Sequence, residues 1–288
     1  MSGIRHIVVV LALVGMGFCQ SAWAITTEEE QQFTYYWYAA RQAIDQEHYA
    51  EAYSLLEFCR WIKPDDGTTL YQLGVIHHAL GHEDQAKECF EKAYAVQPKG
   101  TASAELLEHL KRIAIEEQQW KRALQIQDEL DAKTEYDAFS ALTRFRIYAM
   151  WGKNKQAVKE LDSYLEQDPT NLRLLLFRLE IKEQMGMKNK ERYALYEQIL
   201  ALDPYNLMVL NNYAYHLATH KGDLKEAERM SAITIREEPN NPVYLDTYGW
   251  IMHLQGQDEL ARFYLNKALW NATNETKTEI IQHLNEIK

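Results

Sequence analysis

The sequence predicts an all-α protein in which about seven helical hairpins follow one another. Three observations predict it. First, five of the six prolines keep one period: Pro64 to Pro98 is 34 residues, Pro98 to Pro169 is 71 (close to two such steps), and Pro169 to Pro204 and Pro204 to Pro239 are 35 each. A proline just past a helix cannot extend it. Second, Gly81, Gly152, Gly186, Gly222 and Gly256 each fall about 17 residues before a repeat ends, where a tight turn between two helices favours a positive φ. Third, Ala52, Ala86, Ala123, Ala157, Ala227 and Ala261 lie 34, 37, 34, 70 and 34 residues apart, small side chains where helices approach closely.

The chain opens with MSGIRHIVVVLALVGMGFCQSAWA. Arg5 and His6 form a polar head, Ile7 to Phe18 an uncharged apolar run, and Ala22-Trp23-Ala24 a small-x-small cleavage signal. The run is shorter than the ~20 residues of a membrane-spanning helix. Residues 1–24 are therefore expected to be a secretory signal peptide, with an uncleaved anchor as the alternative. No further transmembrane segment is expected, and the mature chain is placed in the periplasm or secreted. Phe18 and Gly17 ahead of Cys19 argue against a lipid anchor on that cysteine.

Thr26 with Glu29, or Thr27 with Glu30, has capping-box spacing and opens the first helix. The repeats then run at 33–66, 67–100, 104–137, 138–171, 172–206, 207–241 and 242–275, as one array from residue 25 to 288. In AKECFEKAYAVQP, Ala86, Phe90, Ala93 and Tyr94 recur at helical spacing. Residues 104–137 keep Leu107, Leu110 and Ala123 but lack the glycine and proline. Residues 276–288 place Ile280, Ile281, His283, Leu284 and Ile287 on a helix that caps the last apolar face.

Leu70, Leu73-Gly74, Gly81, Ala86, Phe90, Ala93 and Pro98, and again Leu245, Tyr248-Gly249, Gly256, Ala261, Leu265 and Ala268, resemble the tetratricopeptide repeat family. The resemblance implies antiparallel helices A and B in each repeat, stacked as a right-handed superhelical α-solenoid. It also implies that partners are held on helix A. Carried over residue by residue, the groove positions are Trp37 and Arg41, Tyr71 and His78, Arg112, Arg146, Asn211 and Tyr215, and Trp250. Further positions are Arg173, Leu176, Glu180 and Asp246. The lysine–asparagine clamp for a C-terminal carboxylate is absent, because Trp37, Arg41 and Gln72 occupy its positions.

Composition excludes some functions. A net charge of −11 with interspersed charges makes a poor nucleic-acid binder. Cys59 and Cys89 are too few for a disulfide scaffold or a zinc site of their own; buried thiols are expected, with a Cys59–Cys89 bridge left open. His77, His78 and His82 crowd together with Glu83 and Asp84. Adjacent helical residues point about 100° apart. His77 is therefore expected between helices, His78 on the groove and His82 in the turn, rather than around a metal. His216 and His220 are better spaced, four apart; they are read as satisfied or solvated histidines, with a stray metal ion at the surface as the alternative. Metalloprotease, nucleophile-elbow, phosphate-loop and dinucleotide motifs are missing. The expected function is non-catalytic: a protein–protein interaction scaffold of the bacterial cell envelope, with no cofactor, gripping a protein or peptide. A carbohydrate or small-ligand binder that stacks sugars on Trp37, Tyr71 and Trp250 is the alternative.

Overall fold

The computed structural model describes residues 25–287. The expected signal peptide lies outside the described residues. Among them there are fifteen α-helices and no strand. Packing divides the chain into two compact units, one ending at Glu135 and one beginning at Tyr136.

The first unit holds three hairpins: α1 (Thr27–Asp45) with α2 (Tyr49–Ile62), α3 (Gly67–Ala79) with α4 (Glu83–Ala95), and α5 (Ala104–Glu116) with α6 (Trp120–Asp131). The helix α1 begins ahead of residue 33, where the repeat frame starts, because Thr26 and Glu29 form a reciprocal capping box. The second unit holds four more: α7 (Ala138–Met150) with α8 (Asn154–Leu165), α9 (Leu172–Gln184) with α10 (Asn189–Leu202), α11 (Leu207–Thr219) with α12 (Leu224–Glu237), and α13 (Pro242–Leu254) with α14 (Asp258–Asn271). The helix α15 (Lys277–Glu286) follows. Within each unit the main helix pairings join chain neighbours, and α11 also meets α13. That is packing of successive repeats.

Side-chain chemistry marks where each repeat opens. Helices α3, α5, α7, α9, α11 and α13 are capped by Asp66, Ser103, Asp137, Asn171, Asn206 and Asn241, whose side chains accept from free backbone N–H groups. The second helices α2, α4, α6, α8, α10 and α14 carry no such cap. Their turns close through backbone instead: His82 N donates to His77 O at 2.8 Å, and Gln119 N to Ala114 O at 2.7 Å. These bonds need one left-handed residue per turn. Glu47, Gly81, Gln118, Gly152, Gly186, Lys221 and Gly256 supply it, with φ between 58° and 79°.

One sequence reading is corrected here. Gly222 is not the left-handed residue of its turn; Lys221, at φ 59°, is. Gly222 is required for a different reason, since a Cβ there would stand 2.9 Å from the Leu217 carbonyl oxygen. The step from Pro204 to Pro239 is one residue longer than the 34 of Pro64 to Pro98, and the left-handed residue of this repeat falls one position ahead of its glycine. The regular alanine also fails in one repeat: the register midway between Ala157 and Ala227 belongs to Arg192, which is buried. Its guanidinium donates to Asn189 Oδ1 at 2.5 Å and lies 3.6 Å from Glu183.

The six recurring alanines are at most 1% exposed. In the first unit Ala40, Ala52, Leu56, Leu73, Ile76 and Cys89 form one apolar cluster. In the second, a continuous cluster runs from Ala141 to Ile287. Cys59 and Cys89 are free buried thiols. Burial, aided by Asp66, pushes the Cys59 thiol up to about 11, so it stays protonated and unreactive.

Candidate functional site

In the first unit, the odd helices present five of the expected groove residues. Trp37 is half-buried on α1, and the Arg41 guanidinium sits 5.5 Å from its ring centroid, one turn on. Tyr71 and His78 on α3 and Arg112 on α5 come together. His78 Nδ1 lies 2.9 Å from Glu83, and Arg112 donates to Glu116 at 3.0 Å with Glu83 at 3.9 Å. His109, which the sequence reading did not single out, joins them. Its ring stacks on Phe90 at 4.4 Å and 13° and stands 5.8 Å from His78. Burial, with the Arg112 cation beside it, holds His109 below its ordinary value and keeps it neutral. His77 turns the other way, edge-on to Tyr53 with the His82 ring 5.9 Å from its own, so His77 and His78 part to different neighbours.

A second surface of this unit went unread in the sequence. Trp61 is 76% exposed at the end of α2, with Phe58 also exposed and stacked on Tyr36 at 5.1 Å. These rings, with Tyr53, Ile62, Gln32, Ser54 and Glu57, line an open depression of about 770 Å³. The family pattern directs attention to first helices, and Phe58 and Trp61 lie on a second helix.

In the second unit, α9 and α11 form an open depression of about 350 Å³. Arg173, Leu176, Phe177, Glu180, Glu183, Met208 and Asn212 line it. Arg173, Leu176 and Glu180 were expected there. Phe177 and Met208 were missed, although Met208 is 48% exposed. Arg146 on α7 is exposed and places its guanidinium 5.7 Å from the Phe177 ring. Neither Arg146 nor Arg173 is in an ion pair among the described residues.

Three expected groove residues stand elsewhere. Asn211 is 4% exposed, because it shares a helix face with Ala214 and Ala218, three and seven residues on. Its neighbour Asn212 reaches the depression instead. Tyr215 and Trp250 are covered by α15. Tyr215 donates to Glu279 at 3.3 Å, and the Trp250 ring stacks on His283 at 4.3 Å and 19°. Asp246 is buried against His283 as well, at 2.9 Å. The predicted cap thus lies across part of the face that the repeats alone would leave open.

Residues 68–99 match the family model described as a tetratricopeptide repeat. A TPR repeat-containing protein of Pseudomonas aeruginosa is 29% identical over 138 residues, 46% of this chain. The match takes in only 22% of that relative's own length. Among solved structures, the C-terminal part of a TPR repeat-containing protein from Cytophaga hutchinsonii is 16% identical. It covers 88% of this chain and 99% of its own, with a TM-score of 0.62, which shows a shared fold. A tetratricopeptide repeat protein from Parabacteroides merdae is 18% identical and covers 88% of this chain and 98% of its own, with a TM-score of 0.48.

Proposed function

We propose, from the premise that this chain is a tetratricopeptide-repeat protein, that it is a non-catalytic scaffold of the cell envelope and holds a protein or peptide on its first-helix faces. The open depression between α9 and α11 carries the reading. Phe177, Leu176 and Met208 give it an apolar floor, and Arg146 and Arg173 stand beside that floor without carboxylate partners. Arg and aromatic anchors desolvated together are what protein interfaces use for affinity. The fitting segment carries an apolar side chain next to a carboxylate, which the arginines pair in fork geometry. Glu180 and Glu183 at the same depression favour a basic group elsewhere on the segment.

Export to the envelope rests on the pattern of residues 1–24. Among the described residues no helix is long and apolar enough to cross a membrane. Mass spectrometry of the chain recovered from its cell of origin tests export: a mature N-terminus at Ile25 is expected, and a retained Met1 argues against it.

Affinity capture with crosslinking identifies the partner, and titration of the purified pair then tests the site. Phe177→Ala is expected to weaken binding about 30-fold, an interface loss of about 2 kcal/mol. Arg146→Ala is expected to weaken it less and to flatten its salt dependence. Unchanged affinity in both variants overturns the site. The carbohydrate reading finds its support in the depression around Trp61, where stacked rings meet Gln32, Ser54 and Glu57. Glycan binding lost in Trp61→Ala would favour it over a protein partner.

A further inference from the structure

The carboxylates of Asp246 and Glu279 and the imidazole of His283 meet where α15 lies against α13. One ligand atom from each lies within 4.8 Å of the others. His283 and Asp246 are buried and Glu279 is at the surface, so two members are fixed by packing and the third is oriented by its surface contacts. Glu279 and His283 are four apart on α15 and share a face. Asp246 reaches them from a helix more than thirty residues back, so no local motif in the sequence reveals the group.

We infer that Asp246, Glu279 and His283 bind a divalent transition-metal ion of the zinc type, which clasps α15 onto α13. Zinc takes imidazole nitrogen and carboxylate oxygen at about 2.0–2.2 Å in a tetrahedron. Ligand atoms then stand about 3.5 Å apart, so the present group needs to close by about 1 Å. The exposed Glu279 side chain can supply that movement by rotation alone. His283 Nδ1 is hydrogen-bonded to the two Asp246 oxygens at 2.9 and 3.0 Å, and an ion that displaces the shared proton finds these ligand atoms already close together. Solvent at the exposed Glu279 edge supplies the fourth ligand. The two carboxylates offset the charge of a 2+ ion, and His283 binds as a neutral ring once the ion displaces its proton. Trp250 holds the imidazole by stacking at 4.3 Å and 19°, and Tyr215 holds Glu279 through a 3.3 Å hydrogen bond. Such supporting contacts fix ligand orientation in metal sites.

The test uses the purified chain with residues 1–24 removed and Zn²⁺ or Co²⁺ alone as probe. Titration calorimetry is expected to give one equivalent bound, the Co²⁺ visible bands are expected to be tetrahedral in intensity, and Zn²⁺ is expected to raise the melting temperature. Glu279→Gln keeps the apo fold, since the group is exposed, and is expected to weaken Zn²⁺ binding at least ten-fold. His283→Gln is expected to abolish the Co²⁺ bands. His216→Gln with His220→Gln, the other spaced histidine pair, is expected to leave both signals intact. The inference is overturned if no ion binds below millimolar concentration, if binding is unchanged in Glu279→Gln and His283→Gln, or if it disappears with the His216 and His220 substitutions.

Discussion

Gly74 is the point at which two helices of one hairpin touch. A Cβ there would stand 2.6 Å from the Phe90 ring, which is itself fully buried. Gly74→Ala is therefore expected to lower stability by about 1–3 kcal/mol, read from the urea midpoint, although alanine is the better helix former. The sequence reading found this glycine from the family pattern, and the reason for it is a collision. His216 is a residue whose setting the spacing left open between packed and solvated. It is half-buried: burial, with the cation of Arg192 nearby and then His220, holds its ring down at about 4. The folded chain then resists a proton that the unfolded chain accepts near 6.5. Stability from this group is complete above about pH 6.5 and drains as pH falls towards 4, by about 1–2 kcal/mol after allowance for partial solvent access. Urea midpoints at pH 7 and pH 4.5 should show a smaller drop in His216→Asn than in the parent chain. Asn211 shows the same limit: a one-residue change of helix face decides between groove and core, and residue type alone does not report it.

At the level of elements, the hairpins are asymmetric, and the asymmetry is chemical. First helices α3 to α13 open on Asp, Ser or Asn caps, while most second helices open on backbone-closed turns. Asn171→Ala is expected to cost about 1 kcal/mol, because it frees the Leu174 N–H that Asn171 Oδ1 accepts at 3.3 Å. Lys188→Ala, at the uncapped and exposed start of α10, is expected to cost nothing measurable. A pair of denaturant curves separates the two. The same asymmetry accounts for what was legible. Prolines and turn glycines mark where helices end, so the hairpins at Gly81, Gly152 and Gly256 were readable. The turns at Glu47 and Gln118 use ordinary residues at positive φ and left no such mark, and at Lys221 the glycine that marks the turn stands one position late. The resting place of α15 was half legible. Its apolar residues announce a cap, but the contacts of His283 with Asp246 and Trp250 depend on how α15 crosses α13, which no local pattern encodes.

Over the whole molecule, one period of about 34 residues fixes the fold class, because each hairpin buries its apolar face only against its neighbours. That is why the helices were legible from Pro64 to Pro239 despite a buried Arg192 in an alanine register. Binding leaves a fainter record than folding. Core positions must repeat in every unit, whereas a partner needs only a few anchors, and these fall where the partner's own shape puts them. Hence Arg146 and Arg173 were found by position, while Phe177 and Met208 emerged only with the depression around them. Site-specific photocrosslinking tests this division most directly. A photoreactive amino acid at Met208, in the depression, is compared with one at Trp270, which is 90% exposed on α14. The expected result is a discrete partner adduct from position 208 that is lost in Phe177→Ala and absent from position 270. Equal adducts at both positions, or an adduct at 208 that survives Phe177→Ala, would contradict a partner-binding face on the first helices.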